Sequence, residues 1–96
     1  MSDFEKIEQL LKALADKSRL QILDLIEDDV SNPGDIARKL QRHRSTVEKH
    51  LRVLLKARIV EKVPSLTKDG HLSIKYKISD DASQLLTAVN NACRKF

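Results

Sequence analysis

The sequence predicts a mainly helical α+β domain in which four helices, a β-hairpin and a last helix follow one another, in the order ααααββα. Three observations predict it. Apolar residues recur at three- and four-residue spacing through five segments, as the buried stripe of a helix requires. One segment, His71–Ile78, instead alternates strictly between apolar and polar residues, as a strand with one buried face does. Between the segments stand Asn32-Pro33, Asp69-Gly70 and Ser79-Asp80, which are helix-cap and hairpin-turn chemistry.

Phe4, Ile7, Leu10, Leu11 and Leu14 share one face of a first helix over about 3–15, with Glu5, Lys6, Glu8, Gln9 and Lys12 opposite. Asp16-Lys17-Ser18 interrupts the pattern, and Ser18 is the expected N-cap of the second helix. Leu20, Ile22, Leu23, Leu25 and Ile26 make that helix apolar around most of its circumference, so it is expected at the buried centre. Asn32 as N-cap, Pro33 in the first helical position and Asp35 three residues past the cap open a short third helix. Ile36, Ala37 and Leu40 are its inward residues.

A turn at 41–43 leads into the fourth helix, with Arg42 or His43 immediately before it. Val47, Leu51, Leu54 and Leu55 form its inner face, while Arg44, Ser45, Glu48, Lys49 and Arg52 project outward. Ile59–Val63 reads as a strand bounded by Pro64, and the loop Pro64–Gly70 is expected to be the most mobile part. In the returning strand Leu72, Ile74, Tyr76 and Ile78 are expected inward, and Ser73, Lys75 and Lys77 outward. Ser79 caps a last helix with Asp80 and Asp81 at its positive end. Its apolar positions are Ala82, Leu85, Leu86, Val89, Ala92, Cys93 and Phe96.

Ninety-six residues, 41% hydrophobic and 33% charged, suit one domain over 1–96 with a modest core, or an oligomer that shares part of it. No stretch approaches the roughly 20 apolar residues that span a bilayer. The acidic, amphipathic start around Asp3 and Glu5 predicts neither a secretory nor a transit segment. A single cysteine, Cys93, cannot form an intrachain disulfide, so the cytoplasm is the expected compartment, with association to the nucleoid. Phe4, Tyr76 and Phe96 are the only aromatics, which disfavours recognition of single strands by base stacking.

Charge is divided sharply along the chain. Residues 38–77 carry 12 bases and 3 acids, a net +9, whereas residues 1–37 carry 4 bases and 9 acids, a net −5. The remaining residues are neutral, which leaves the chain at +4. Lysines and arginines clustered on one face point to a polyanionic partner, because binding it releases condensed counterions.

The order of elements resembles a winged helix-turn-helix domain, with 33–57 as the helix-turn-helix and 59–78 as the wing. Leu14-Ala15-Asp16, Arg19-Leu20 and Ile22-Leu23 are similar to the opening of the arsenic-repressor (ArsR) type of winged-helix transcription regulators. Ile36-Ala37, Leu40, Ser45-Thr46-Val47, His50-Leu51 and Leu54 are similar to that family's core motif. The likeness covers nearly the whole chain, and related multiple-drug-resistance and archaeal regulators share the architecture. The departures are Gln41 and Arg58 where the family has Gly, Arg42 where it has an apolar residue, and His43 and Glu48 where it has Ser. Gln41 and Arg58 are therefore expected in turns that glycine usually supplies with φ > 0, and Arg42 is expected to lay its stem on the core and lift its head to solvent.

The resemblance implies a double-stranded DNA-binding regulator, a repressor rather than an activator, working as a homodimer. A second helix of such a motif enters the major groove with its N-terminal residues at base edges. That assigns Arg44, Ser45, Thr46, Glu48, Lys49 and Arg52 to the recognition helix, and Lys39, Arg42 and His43 to the backbone. Arg44 suits guanine and Glu48 suits cytosine N4, although the two also stand one turn apart and can pair with each other. The wing residues are Lys62, Lys68, His71, Lys75 and Lys77, which also fit the role of blocking edge-to-edge strand pairing. The terminal helices, 1–15 and 80–96, are expected to form the dimer interface through Phe4, Ile7, Leu11, Leu86, Val89 and Cys93.

Metal sensors of this type use clustered thiols and imidazoles, often on the third helix. That helix has no thiol here, and His43, His50 and His71 are dispersed, so neither a metal nor another cofactor is expected. No enzyme is expected either: Gly34 and Gly70 stand alone, and Asp28-Asp29 lies at a helix end. Two other readings fit the same fold. One is a winged-helix module for protein interaction; the other is a non-specific, chromatin-like DNA-binding protein.

Overall fold

The structure is a computed structural model and describes residues 3–96, so the reading of the first two residues lies outside it. The elements are α1 (Phe4–Leu14), α2 (Lys17–Glu27), α3 (Pro33–Leu40), α4 (Arg44–Lys56), β1 (Val60–Leu66), β2 (Leu72–Ile78) and α5 (Asp80–Cys93). This is the predicted ααααββα order.

Local chemistry explains most boundaries. Asn32 Oδ1 accepts from the backbone N–H of Gly34 at 2.9 Å and of Asp35 at 3.4 Å, and Pro33 occupies a position whose N–H has no use. Ser79 Oγ accepts from Ala82 N–H at 3.2 Å and opens α5. The start of α2 differs from expectation. Asp16, not Ser18, is the cap, because its carboxylate accepts from the Arg19 amide at 3.0 Å and Ser18 falls within the first turn. Two residues able to cap, Asp16 and Ser18, left the choice to where α1 ends, and α1 runs to Leu14.

Three helices end in left-handed residues that are not glycine: Asp29 (φ 67°), Gln41 (φ 54°) and Arg58 (φ 61°). The expectation for Gln41 and Arg58 holds. After α4, Ile59 N–H bonds Leu54 O at 2.9 Å and Arg58 N–H bonds Leu55 O at 3.0 Å. After α3, Arg42 N–H bonds Ala37 O at 3.0 Å and Gln41 N–H bonds Arg38 O at 3.2 Å. These are paired reverse bonds that use up the carbonyls a helix end leaves free. Asp29 does the same for α2, a role that the sequence reading did not give it.

The core is built where α2, α3 and α4 meet the base of the hairpin. Ile22, Ile36, Val47, Leu51, Leu54, Ile59 and Val60 are fully buried there. Each such side chain contributes about 1.5–3 kcal/mol relative to exposure. The second helix is less central than expected. Ile22, Leu23 and Ile26 are buried, but Leu20 is exposed and Leu25 only half-buried, so α2 shows an ordinary one-sided stripe.

The hairpin differs from expectation in two ways. First, β1 continues through Pro64 to Leu66, with Pro64 opposite Ile74. In a two-stranded sheet each strand has an outer edge, where a missing N–H leaves no ladder bond unmade. The segment expected as a mobile loop is thereby reduced to a tight turn around Gly70 (φ 81°), closed by Thr67 N–H to His71 O at 2.8 Å. Second, Leu72 and Ile74 are exposed rather than inward, because the helical body ends beneath Tyr76 and Ile78.

The hairpin is tied down at its base and again further out, at Ser73. Tyr76 N–H bonds Ser31 O at 2.9 Å, Asn32 Nδ2 donates to Ser73 Oγ at 3.2 Å, and Ser79 Oγ donates to Arg58 O at 3.0 Å. A single residue, Asn32, thus fixes both the start of α3 and the angle of the wing.

Candidate nucleic-acid interface

α4 is held rigidly by one face and open on the other. Val47, Leu51 and Leu54 anchor it in the core, while Arg44, Ser45, Lys49 and Arg52 are exposed and Thr46 and Glu48 half-exposed. Among the described residues, the hydroxyls of Ser45 and Thr46 find no hydrogen-bond partner within the chain. The first turn carries no acid, and the His43 side chain caps nothing. The positive end of the helix dipole and its free N–H groups therefore face outward beside Arg42, His43 and Lys39, all exposed. Arg42 stands in the exposed turn that its left-handed neighbour Gln41 creates.

Arg44 Nε donates to Glu48 Oε1 at 3.0 Å, so the pair recognised as able to bond one turn apart does so in the free chain. Both side chains remain largely solvated. Arg38 pairs with Asp35 on the exposed side of α3.

The wing is two-sided. Residues directly opposite share a face. The register pairs Lys62 with Tyr76, Pro64 with Ile74 and Leu66 with Leu72 on one face, and Glu61 with Lys77, Val63 with Lys75 and Ser65 with Ser73 on the other. Tyr76 marks the face nearer α4: burial pushes its phenol pKa up, Glu48 adds to the rise, and Arg52 opposes it. Lys62 therefore lies on the α4 side. Lys75 and Lys77 lie on the reverse, lining a shallow cleft with Glu27 and Asp29. Lys68 and His71 are exposed at the turn. The cations of α4 and Lys62 are thus brought to one side, and Lys75 and Lys77 are not.

On the terminal helices Phe4, Ile7, Leu11 and Val89 are exposed, 66% in the case of Phe4, and Cys93 is exposed as a free thiol. Leu86 instead packs partly against its own core, leaving Leu85 beside Val89 at the surface. Only Ala82 of α5 is buried. Among the described residues no three or more His, Cys, Asp or Glu side chains gather as a metal site, and no helix is long and apolar enough to cross a membrane.

Sequence reasoning missed Arg19. Its guanidinium donates to Ala13 O at 2.6 Å and Lys12 O at 3.1 Å, and meets His50 Nδ1 at 3.2 Å. The available signal was a cation three residues past an aspartate cap, inside an otherwise apolar helix face.

Residues 14–63 match the helix-turn-helix domain family. The chain is similar to an uncharacterized HTH-type transcriptional regulator of Methanocaldococcus jannaschii, 30% identical over 91 residues that cover 94% of this chain and 98% of that protein. It is also similar in structure to the homodimeric winged helix-turn-helix DNA-binding domain Mb0332 of Mycobacterium bovis, described as "a possible ArsR-family transcriptional regulator". The TM-score is 0.81 at 26% identity, covering 96% of this chain and 82% of that one. Reduced HlyU of Vibrio cholerae shares the fold, with a TM-score of 0.73 at 23% identity over 94% of this chain and 90% of that one.

Proposed function

The chain belongs to the helix-turn-helix domain family, in an ArsR-like winged form, and from that premise we propose that it is a sequence-specific regulator of transcription that binds double-stranded DNA as a homodimer. The observation that carries this reading is the state of α4. Its outer face keeps Arg44, Ser45, Thr46, Lys49 and Arg52 uncovered, while its inner face is locked into the core. A rigid helix with unspent donors and a basic flank fits a major groove about 12 Å wide. Arg44, Ser45, Thr46, Glu48 and Lys49 address base edges, and Lys39, Arg42, His43 and Arg52 address phosphates. Lys62, Lys68 and His71 follow along the wing, while Lys75 and Lys77 add to the field from its reverse face.

Dimerisation is supported by the apolar surface that α1 and α5 leave open, with Phe4, Ile7, Leu11 and Val89 exposed, and by the homodimeric Mycobacterium bovis relative. A dimer sets two reading helices about 34–36 Å apart, one turn of duplex. It acts by occupying promoter DNA in the cytoplasm, as a repressor with no metal or other cofactor. Cys93, on the open face of α5, belongs to this interface.

The test is selection of duplexes from a random pool at several salt concentrations, with sedimentation of the protein alone. The expected result is a dimer that prefers its selected duplex over random DNA by roughly 10³-fold or more. Preference near unity would assign a chromatin-like role, and no binding at physiological salt would assign a protein-interaction module.

A further inference from the structure

We infer that the cleft behind the wing is a binding site for a small aliphatic zwitterion of the amino-acid class, held between Lys75 and Lys77 on one wall and Glu27 and Asp29 on the other. This goes beyond the DNA-binding reading and does not depend on it. The cleft measures about 330 Å³ and lies where the end of α2, the reverse face of the hairpin and the first turn of α5 meet. That is the lower end of the range for small-molecule sites, about 300–1,000 Å³. Ser31 lines the cleft and is only 9% exposed. Its carbonyl accepts from the Tyr76 amide at 2.9 Å, whereas its hydroxyl finds no hydrogen-bond partner among the described residues. No side-chain polar atom among those residues is both fully covered and unpartnered, so the hydroxyl keeps an opening, and the cleft lies beside it. A buried hydroxyl that its own chain leaves unpaired calls for a partner from outside it.

The occupant follows from the charges. Lys75 and Lys77 stand two residues apart on the reverse face, about 6.8 Å along the strand. Glu27 closes α2, and Asp29 follows it in a left-handed conformation (φ 67°). All four residues are exposed, and none joins an ion pair among the described residues. Glu61, across the ladder from Lys77, does not line the cleft. The charges of the lining therefore cancel, with the two signs on separate walls. An anion or a cation alone leaves one wall unmatched, whereas a molecule with both an ammonium and a carboxylate meets the two. The Ser31 hydroxyl donates to the carboxylate. Buried Ile26 and exposed Val63 supply apolar lining for a short aliphatic side chain. The walls are set before a ligand arrives, because Tyr76 N–H on Ser31 O and Ser79 N–H on Ile59 O, each at 2.9 Å, tie the hairpin to the body. Such preorganisation lowers the cost of binding. Solvated charges contribute little each, so the dissociation constant is expected at about 1 mM.

The experiment titrates L-leucine into the wild-type chain, read by calorimetry and by thermal unfolding. Beside it run ε-aminocaproate, whose charges stand wider apart, and two single-charge analogues, isocaproate and isopentylamine. No DNA is present, so failure of the cleft and failure of the regulator reading are seen separately. The expected result is one leucine bound per chain and a melting temperature that rises with its concentration. Each single-charge analogue should bind about tenfold more weakly or worse. Ser31→Ala is expected to weaken leucine by about tenfold, yet to melt as wild type without it, since the hydroxyl it removes has no partner in the chain. Glu27→Gln/Asp29→Asn should lose leucine and keep the fold, because asparagine tolerates a left-handed turn. Isocaproate that binds as tightly as leucine reduces the cleft to an anion site and overturns the proposal. A wild-type chain that binds neither zwitterion overturns it too, as does a Ser31→Ala variant that binds leucine unchanged. Tighter binding of ε-aminocaproate than of leucine upholds the site and assigns it ligands with the wider charge spacing. Should the double variant not fold, the wild-type ranking of zwitterions against single-charge analogues decides alone.

Discussion

Nη1 of Arg19, in the first turn of α2, lies 3.2 Å from Nδ1 of His50, in the middle of α4. A guanidinium can only donate, so the ring nitrogen is the acceptor in this contact. The same Arg19 takes up two carbonyls at the end of α1, from Lys12 and Ala13. One side chain, 16% exposed, thus sets the reading helix against both α1 and α2. Arg19→Ala leaves these acceptors without their partner and is expected to lower stability by about 1.5–3 kcal/mol. Arg19→Lys should recover only part of this, since an ammonium cannot reproduce a planar fork. Urea unfolding decides the matter; a change within about 0.5 kcal/mol, as for an ordinary surface substitution, would remove Arg19 from this role.

Asp16 carries a pH signature. Its backbone hydrogen bond from Arg19 holds the carboxyl pKa below its ordinary value, against a smaller opposing effect of burial, and the charge of Arg19 adds to the lowering. A depressed folded-state pKa contributes stability above the unfolded value of about 3.9, and that contribution is lost as pH falls through the folded value. Asp16→Asn keeps an acceptor at the cap and removes the charge. Wild type is expected to be the more stable at pH 6, with the gap narrowing once the pH falls below the unfolded value of about 3.9. A gap that stays constant between pH 6 and pH 3 in thermal melts contradicts the assignment.

The left-handed turns at Gln41 and Arg58 hold side chains that pay in backbone strain. Gln41→Gly and Arg58→Gly should each stabilise the fold by about 0.5–1 kcal/mol, the relief of strain exceeding the entropy that glycine adds to the unfolded chain. The reverse bonds that close α3 and α4 use backbone atoms alone, so they survive the substitution. Denaturant midpoints that move down in both variants would show that the turns are unstrained.

The start of α3 was legible because Asn32, Pro33 and Asp35 act on their own neighbours. The pairing of Arg44 with Glu48 was legible for the same reason, four residues being one helical turn. Asp16 and Ser18 both have capping chemistry, and only the observed end of α1 chose between them. The alternation of β2 correctly assigned Tyr76 and Leu72 to one face, but coverage of that face depends on how far the body extends beneath it. Local pattern carries no such distance. Nor did it carry the contact of Arg19 with His50, 31 residues apart, or the separation of Lys62 from Lys75 and Lys77, which rests on the register across the turn. Short-range chemistry wrote the elements and much of α4; long-range packing decided which wing residues share its side.

The Arg44–Glu48 bond sets up a test of base choice. In an exposed helix such a pair is worth about 0.3–0.5 kcal/mol, and the order Arg then Glu is the weaker orientation. DNA can therefore open it at little cost and claim both side chains. Glu48→Ala frees Arg44 without altering the face of α4 that packs in the core. Binding to random duplex should tighten, and the salt slope should steepen by about 0.9 as one further phosphate charge is neutralised. Preference for the selected duplex should fall by about tenfold or more, because the glutamate's acceptor for cytosine N4 is gone, worth about 1–3 kcal/mol. Titrations at four salt concentrations measure both quantities. If slope and preference match those of the wild type, Arg44 and Glu48 serve only each other, and base recognition belongs to Ser45, Thr46 and Lys49.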